Sequence, residues 1–126
     1  MSETVQPTLA VRLKTDSEGN PSFFEGKNKR HYRIVFEIEN APEDAYLAQV
    51  ELDSSYSDPV RNVERQPDGI FRLATSTYGD YPVRVHLYRS DGYDVVLSDS
   101  VARALRRSAT EMSPAVQQAV DYIAGH

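Results

Sequence analysis

The sequence contains no cysteine and no tryptophan. Without cysteine the chain can form no disulfide, offer no thiolate nucleophile and build no zinc–thiolate site. Secreted domains of this size often depend on disulfides, so the absence of cysteine favours the cytoplasm. The residues before Pro7 include Glu3 and have no apolar core, which is not the pattern of a secretory signal. No apolar run reaches the roughly 20 residues of a membrane-spanning helix. We expect a cytoplasmic protein without membrane contact.

Positive charge is also scarce, because 14 Lys and Arg residues face 19 Asp and Glu residues, for a net charge of -5. General nucleic-acid binders need clustered cations to neutralise phosphates. We therefore expect no nucleic-acid partner. Two short basic groups, at residues 27–33 and 103–107, are typical of solvated surface; binding of a polyanion by either is the less favoured alternative.

The sequence has three histidines and none of the common catalytic motifs. It lacks a glycine-rich phosphate loop, a nucleophile elbow and an HExxH motif. His31 and His86 fall within predicted strands and His126 is the last residue. No spacing brings an imidazole to a nucleophile and an orienting acid. We predict a protein that is not an enzyme and has no cofactor.

Apolar and polar residues alternate along most of the chain, which is typical of half-buried β-strands. The clearest case is residues 31–39, where apolar residues at even positions alternate mostly with polar residues. Turn residues separate the strands and no helical crossover lies between them, which excludes doubly wound folds. We predict a single domain over residues 1–126: an all-β, immunoglobulin-like sandwich of about seven to eight antiparallel strands. Its strand core is expected over residues 8–105, with a loop at residues 23–30.

Residues 98–107 carry two patterns. Val101, Ala102 and Leu105 fit a helix, whereas simple alternation also fits a strand. Local propensity favours the helix, but packing can override propensity. Both alternatives stay open.

The last part of the sequence predicts a helix over residues 114–124. Ser113 is a typical N-cap, Pro114 suits the first helical position, and Gly125 can end the helix. An apolar stripe runs along one face of this segment. The stripe is expected to pack on its own domain, with packing on a partner as the alternative. It comprises Val116, Ala119, Val120 and Ile123.

Aspartates are frequent in the predicted turns. Loops rich in aspartate can bind calcium through oxygen ligands. Turns also select aspartate because its carboxylate accepts hydrogen bonds from the nearby backbone. No EF-hand spacing is present, so we predict structural turns and no metal site. The residues concerned are Asp53, Asp58, Asp68, Asp80, Asp91, Asp94 and Asp99.

Three of the eight tyrosines lie in two loops rather than in strands. Tyr56 follows one predicted strand, and Tyr78 and Tyr81 precede another. Gly79 permits a close backbone approach between two of the rings. If both loops leave the same end of the sandwich, the rings line a slot for a cation or a flat amide-like group. The alternative is that at least one ring plugs the end of the sandwich, as tyrosine corners do.

These two loops resemble those of the YEATS domain. The first reads Leu-x-Ser-Ser-Tyr-x-x-Pro-Val-Arg from Leu52, and a Phe-x-Leu follows it. The second reads Tyr-Gly-Asp-Tyr from Tyr78 and leads into a strand, Pro-Val-Arg-Val-His-Leu-Tyr. The similarity covers residues 31–105. The short domain and the Asp91-Gly92 turn look like the prokaryotic version of the family.

The resemblance implies a sandwich with a recognition end, where eukaryotic members hold an acylated lysine between aromatic rings. Tyr78 and Tyr81 stand at the two aromatic positions of the family's second loop. Tyr56 stands at the Phe or Tyr of the first loop. Asp53 replaces the family's usual His, which removes a ring and adds a negative charge. Asp58 and Asp80 make the rim acidic, which suits a cationic or neutral partner. The candidate ligand-binding residues are Asp53, Ser55, Tyr56, Tyr78, Gly79, Asp80 and Tyr81.

Together these features predict a non-enzymatic recognition or adaptor module. It would bind a peptide, a modified side chain or a small ligand within an aromatic cage at the Tyr56, Tyr78 and Tyr81 end. Prokaryotic relatives look like sensor modules joined to effectors, which implies a protein or peptide partner such as a bacterial effector. The alternative is a structural subunit that works through a sheet edge or through the C-terminal helix. The ligand and the oligomeric state stay open.

Overall fold

The computed structural model describes residues 6–109 and 112–126 of the chain. In this part, eight strands are followed by two helices. The strands are β1 (Thr8–Leu13), β2 (Phe23–Gly26), β3 (Lys29–Glu39), β4 (Ala45–Glu51), β5 (Val60–Glu64), β6 (Phe71–Thr77), β7 (Pro82–Arg89) and β8 (Val95–Ser100); the helices are α1 (Val101–Ser108) and α2 (Pro114–Ala124).

The strands form two antiparallel sheets of four strands each. In the first sheet, β3 is the central strand. β1 pairs with β3 from Ile34 to Glu39 and β2 pairs with it from Lys29 to Tyr32, so the two strands follow one another along one edge. β6 pairs with the other edge of β3. The second sheet has the order β5-β4-β7-β8.

The core lies between the two sheets. Alternation places every second residue of β3 inward, and Ile34, Phe36 and Ile38 are fully buried. Val50 of β4 and Val85 of β7 are equally buried and belong to the same apolar cluster. Burying one such side chain contributes about 1.5–3 kcal/mol, so this cluster is the main source of stability. The structure confirms the predicted two-sheet antiparallel sandwich.

Two expectations about secondary structure are wrong. The first placed a loop at residues 23–30, whereas Phe23–Gly26 forms β2 and hydrogen-bonds to the start of β3. A two-residue turn joins the two strands, with positive φ angles of 53° at Lys27 and 62° at Asn28. Such angles are typical of the tight turns in hairpins. Neither residue is glycine, so the usual sequence signal for the turn is missing.

The second error is the strand core that extends to residue 105. The strands end at Ser100, and residues 101–108 form α1. The Ser100 side chain accepts a hydrogen bond of 3.3 Å from the backbone N–H of Arg103, which caps the helix. α1 buries its apolar residues against β1 and the core, including Val101 and Leu105. In a strand, Val101 and Leu105 would share their face with Arg103, which would then be buried with them. The helix buries the two apolar side chains and leaves Arg103 exposed.

The C-terminal helix α2 forms over the predicted range, Pro114–Ala124. The Ser113 side chain accepts a hydrogen bond of 3.2 Å from the backbone N–H of Val116. Ala119, Val120 and Ile123 are buried and join the main apolar cluster, so the stripe packs on its own domain. No helix in residues 6–109 and 112–126 is long and apolar enough to cross a membrane.

Candidate functional site

Three chain segments and the last residue enclose a cleft of about 720 Å³ at one end of the sandwich. The segments are the β2–β3 hairpin, the loop between β4 and β5, and the end of β6 with the loop that leads into β7. All seven candidate ligand-binding residues line this cleft: Asp53, Ser55, Tyr56, Tyr78, Gly79, Asp80 and Tyr81. We call it the tyrosine cleft. That these residues bind a ligand stays a prediction.

Tyr56 and Tyr81 form the inner wall of the tyrosine cleft. Their hydroxyl oxygens are 3.0 Å apart, and the Tyr56 hydroxyl donates to the backbone carbonyl of Ser76. The Tyr81 hydroxyl therefore donates to the Tyr56 oxygen. Tyr81 is 8% exposed and belongs to the main apolar cluster, while Tyr56 is half-buried beside it. Tyr81 thus packs as part of the core and contributes only a small part of its surface to the cleft.

Burial raises the pKa of both phenols above the ordinary tyrosine value, because the phenolate would lose its water. The effect is larger for Tyr81, where the hydrogen bond to Tyr56 adds to the effect of burial. For Tyr56 the same contact acts against the effect of burial. Both hydroxyls are neutral at physiological pH, so this wall offers hydrogen-bonding groups and no charge.

Tyr78 has a different environment. It is half-buried, and the Lys29 ammonium lies 4.0 Å from the centre of its ring. His31 approaches the ring at a centroid distance of 5.5 Å and an angle of 75°. His31 in turn stacks on Phe24, with centroids 4.9 Å apart and planes within 5°. Because Phe24 is 42% exposed, this group of rings is open to solvent and can contact a ligand.

The backbone of His126 passes so close to residue 79 that only glycine, which has no Cβ atom, fits there. A Cβ atom added there would lie 2.7 Å from the carbonyl carbon of His126. The loop is held by Thr77, whose hydroxyl donates to the Gly79 carbonyl at 2.6 Å and accepts from the Gly79 N–H at 3.2 Å. The expected role of Gly79, a close backbone contact, therefore involves the end of α2 rather than the two tyrosine rings.

The acidic residues of the site have structural partners. Asp53 accepts a hydrogen bond of 3.1 Å from the Ser55 N–H, and hydrogen bonds from Ser55 lower its pKa. Asp80 accepts a hydrogen bond of 2.9 Å from the Ala102 N–H, in the first turn of α1. Both carboxylates thus hold a turn or a helix end.

The rim of the tyrosine cleft is not acidic, in contrast to the prediction from the sequence. Asp58 is not among the lining residues, whereas two lysines of the hairpin, Lys27 and Lys29, are. Formal charge in the tyrosine cleft is therefore divided between a basic hairpin wall and the two aspartates. An argument from an acidic rim to a cationic partner does not hold.

Sequence reasoning missed the hairpin wall altogether. Phe24, Lys29 and His31 line the tyrosine cleft, as does His126 after α2. The signal that could have found them is alternation: His31 and Lys29 continue the outward face of β3, and Phe24 lies opposite His31 once the hairpin is recognised. No pattern near His126 indicates its position, because it depends on how α2 packs.

The histidines and carboxylates of the described residues bear on chemistry other than recognition. Within residues 6–109 and 112–126, no group of three or more His, Asp or Glu side chains is placed to hold a metal ion. Each histidine has a hydrogen-bond partner: His31 the Gly26 carbonyl, His86 the Asp94 carboxylate, and His126 the Tyr122 carbonyl. None of these contacts joins an imidazole to a serine or threonine hydroxyl.

Comparison with known proteins identifies the family. No curated protein matches the chain. Among solved structures, the chain is similar to the Yaf9 YEATS domain recognizing H3K122suc peptide, with 12% identity, a TM-score of 0.42, and coverage of 79% of this chain and 87% of that one. The model of the prokaryotic YEATS domain matches residues 32–102, which is more than half of the chain and includes both tyrosine loops. The chain therefore belongs to the prokaryotic YEATS domain family.

Proposed function

We propose that this chain is a recognition module that binds a peptide, a modified side chain or a small ligand in the tyrosine cleft. The observation that supports the proposal is that distant parts of the chain meet at one site. The tyrosine cleft, with a volume of about 720 Å³, is lined by two loops about twenty residues apart in sequence and by the β2–β3 hairpin of the first sheet. Ligand pockets commonly have volumes of about 300–1,000 Å³ with aromatic walls and few polar groups.

The ring of Tyr78 is the central contact in this proposal. Its face already holds the Lys29 ammonium, which is the interaction expected between a cation and the negative face of an aromatic ring. A ligand group that is cationic or flat and amide-like can take the same place while Lys29 moves aside. The Ser55 hydroxyl can then donate or accept a hydrogen bond at the rim, and the Tyr56 oxygen can accept one more at the inner wall. An acylated lysine has the flat amide group that such a site accepts.

The same geometry supports a non-enzymatic role. The three histidines make the contacts described above, and both aspartates of the tyrosine cleft hold backbone N–H groups. General acid–base or nucleophilic catalysis needs such groups directed at a reacting atom. We further propose, from the prokaryotic YEATS resemblance, that the module serves as the sensor or adaptor partner of an effector protein.

The alternative is a structural subunit that works through a sheet edge or through the C-terminal helix, and the use of the helix has less support. The apolar stripe of α2 is buried in its own domain, and Ile123 is fully buried. A partner could use that stripe only after α2 detached. The exposed face of α2 carries polar residues such as Gln117 and Gln118, and nothing on it favours a partner.

The test is a binding measurement with a defined panel of probes. Fluorescein-labelled lysine peptides, each with unmodified, acetylated, crotonylated or succinylated lysine, are titrated with the protein, followed by an amide-containing fragment library observed by NMR. We expect at least one probe to bind and to shift the amide signals of Tyr78 and His31. Tyr78→Ala should weaken that binding by about fivefold to tenfold, because it removes a stacking surface worth about 1–1.4 kcal/mol.

The matched control is Tyr93→Ala. Tyr93 is 79% exposed in the turn between β7 and β8, so its loss should leave both binding and stability unchanged. The proposal fails if Tyr78→Ala and wild type bind the selected probe equally, or if the bound probe shifts signals of the β7–β8 turn and not those of the tyrosine cleft.

A further inference from the structure

The outward face of β3 carries three basic residues in a row near the tyrosine cleft. Lys29, His31 and Arg33 occupy alternate positions, so their side chains leave the same face of the sheet. Alternate residues of a strand lie roughly 7 Å apart, which makes the row about 14 Å long. Phe24, which pairs with His31 across the hairpin, and Tyr78 lie between these basic side chains. We call these five residues the basic strip.

Contacts within the basic strip are continuous. The Arg33 guanidinium lies 5.1 Å from the centre of the Phe24 ring, and Phe24 stacks on His31. His31 contacts the edge of Tyr78, and the Lys29 ammonium lies over the Tyr78 face. Each ring therefore holds a basic group in place. Ring faces attract cations but do not neutralise their charge.

The charge of the basic strip is not balanced by the described part of the chain. Within residues 6–109 and 112–126, neither Lys29 nor Arg33 forms an ion pair with a carboxylate. The other end of the same face of β3 is different. There Arg12 pairs with Glu37 and Glu39, and Arg72 pairs with Glu37 and Asp68, so two arginines face three carboxylates. Charge is thus compensated at one end of β3 and left over at the end that borders the tyrosine cleft.

We propose that the basic strip binds an extended acidic peptide segment that flanks the group held in the tyrosine cleft. This inference rests on the proposed function and adds the chemistry of the partner. An extended chain repeats its side chains on one side every roughly 7 Å, which is also the spacing of Lys29, His31 and Arg33. Carboxylates at alternate positions of the segment therefore meet successive basic groups, and Phe24 offers an apolar contact between them.

A short acidic peptide fits better than a nucleic acid. The chain has a net charge of -5, so a long polyanion would meet repulsion beyond the strip. The strip spans only about five strand residues, which matches a few peptide side chains. The unpaired positive charge is confined to that span on this face, because the arginines beside Glu37, Arg12 and Arg72, are each paired with two carboxylates.

The experiment uses three labelled probes: a (Glu-Ser)4 peptide, a (Gln-Ser)4 peptide and an eight-residue oligothymidylate. We expect the wild-type protein to bind (Glu-Ser)4 more tightly than the other two, with an affinity that falls as salt is raised. Lys29→Gln combined with Arg33→Gln should weaken binding of (Glu-Ser)4 by about threefold to tenfold, the usual effect of two exposed charge pairs. A thermal melt checks that the double variant is folded.

The matched control is Arg84→Gln. Arg84 is an exposed residue of β7 in the second sheet and has no ion pair within the described residues. It should leave the affinity for (Glu-Ser)4 unchanged. Equal binding of (Glu-Ser)4 and (Gln-Ser)4, or equal loss in the double variant and the control, overturns the inference. Tighter binding of the oligothymidylate with the same dependence on Lys29 and Arg33 also overturns it and assigns the strip to single-stranded nucleic acid.

These outcomes are separate from those of the proposed function. The unmodified, acetylated and crotonylated lysine peptides carry no acidic group in the lysine side chain, so their binding reports on the tyrosine cleft. Tyr78 belongs to both surfaces, so the strip is tested by (Glu-Ser)4 and by the Lys29→Gln, Arg33→Gln double variant. If these lysine peptides behave as expected while (Glu-Ser)4 does not bind, recognition in the cleft stands and only the preference for an acidic segment is lost. If no lysine peptide or amide fragment binds while (Glu-Ser)4 does, the strip binds acidic segments without a cleft ligand.

Discussion

The hydroxyl oxygen of Tyr56 lies 3.0 Å from that of Tyr81, and the Tyr56 hydroxyl also reaches the Ser76 carbonyl. This pair joins the loop after β4 to the end of β6 and the start of β7. Tyr81 is almost completely buried, and its hydroxyl uses the Tyr56 oxygen as its hydrogen-bond acceptor. The link therefore stabilises the inner wall of the tyrosine cleft and fixes the distance between its two loops.

Tyr56→Phe should lower the free energy of unfolding by about 1–3 kcal/mol, because it leaves the Tyr81 hydroxyl and the Ser76 carbonyl without their partner. The measurement is urea denaturation at neutral pH. Tyr46→Phe is the control, since Tyr46 is 59% exposed and should show no change. Equal stability of Tyr56→Phe and wild type would mean that the hydroxyl contact contributes nothing.

Alkaline pH should destabilise the fold through the same two phenols. Their pKa values are raised in the folded state, so the neutral forms are favoured there. The stabilisation is fully present below the ordinary tyrosine pKa near 10 and is lost as pH rises through the higher folded-state values. Melting temperature measured from pH 8 to 12 should fall less steeply for Tyr81→Phe than for wild type. Identical slopes would contradict this assignment.

Tyr78 and Tyr81 should behave differently on truncation. Tyr81→Ala removes a ring from the core and should cost about 3–5 kcal/mol of stability. Tyr78→Ala removes a half-buried ring in the cleft and should cost less than half as much, while reducing ligand binding. Chemical denaturation of both variants decides the point. A larger loss in Tyr78→Ala would make Tyr78 the structural plug and would remove the basis of the binding proposal.

The sequence could have separated these two tyrosines. Tyr81, Val83, Val85 and Leu87 occupy alternate positions and are all buried, so the inward face of β7 already begins at Tyr81. Assigning Tyr81 to a loop made the alternation begin two residues too late. Tyr78 lies outside that series, and its exposure follows from the loop geometry.

Most of the strands and α2 were predictable because each has one periodic face that packs on a single core. β2 was missed and α1 stayed one of two alternatives, for different reasons. The β2–β3 turn has positive φ angles at Lys27 and Asn28. Neither residue is glycine, so the sequence lacks the residue that usually marks such a turn. The start of α1 is stabilised from a distance by the Asp80 carboxylate, which accepts from the Ala102 N–H. Periodicity and propensity within a short segment do not reveal a hydrogen bond between residues 22 positions apart in the sequence.

Gly79→Ala should destabilise the end of the sandwich by about 1–3 kcal/mol. The added Cβ would lie 2.7 Å from the carbonyl carbon of His126 and 3.0 Å from its oxygen, so the backbone must move. Gly26→Ala is the control in the same cleft, because its nearest neighbours are side-chain atoms of His31 at 3.6 and 3.7 Å. Thermal melts compare the two. A smaller effect at Gly79 than at Gly26 would show that His126 moves aside freely.

The two internal histidines should differ in their effect on binding. The sequence alone gives neither histidine a role, so it predicts that replacing His31 and His86 together by Gln leaves function intact. The structure places His31 in the tyrosine cleft between Phe24 and Tyr78, whereas His86 lies on the second sheet, bonded to Asp94. His31→Ala should therefore weaken binding of the selected lysine peptide by about threefold to tenfold, through loss of the ring contact. His86→Gln should leave that affinity unchanged. Fluorescence anisotropy with both variants at equal fold stability makes the comparison, and an equal effect of the two substitutions would remove His31 from the site.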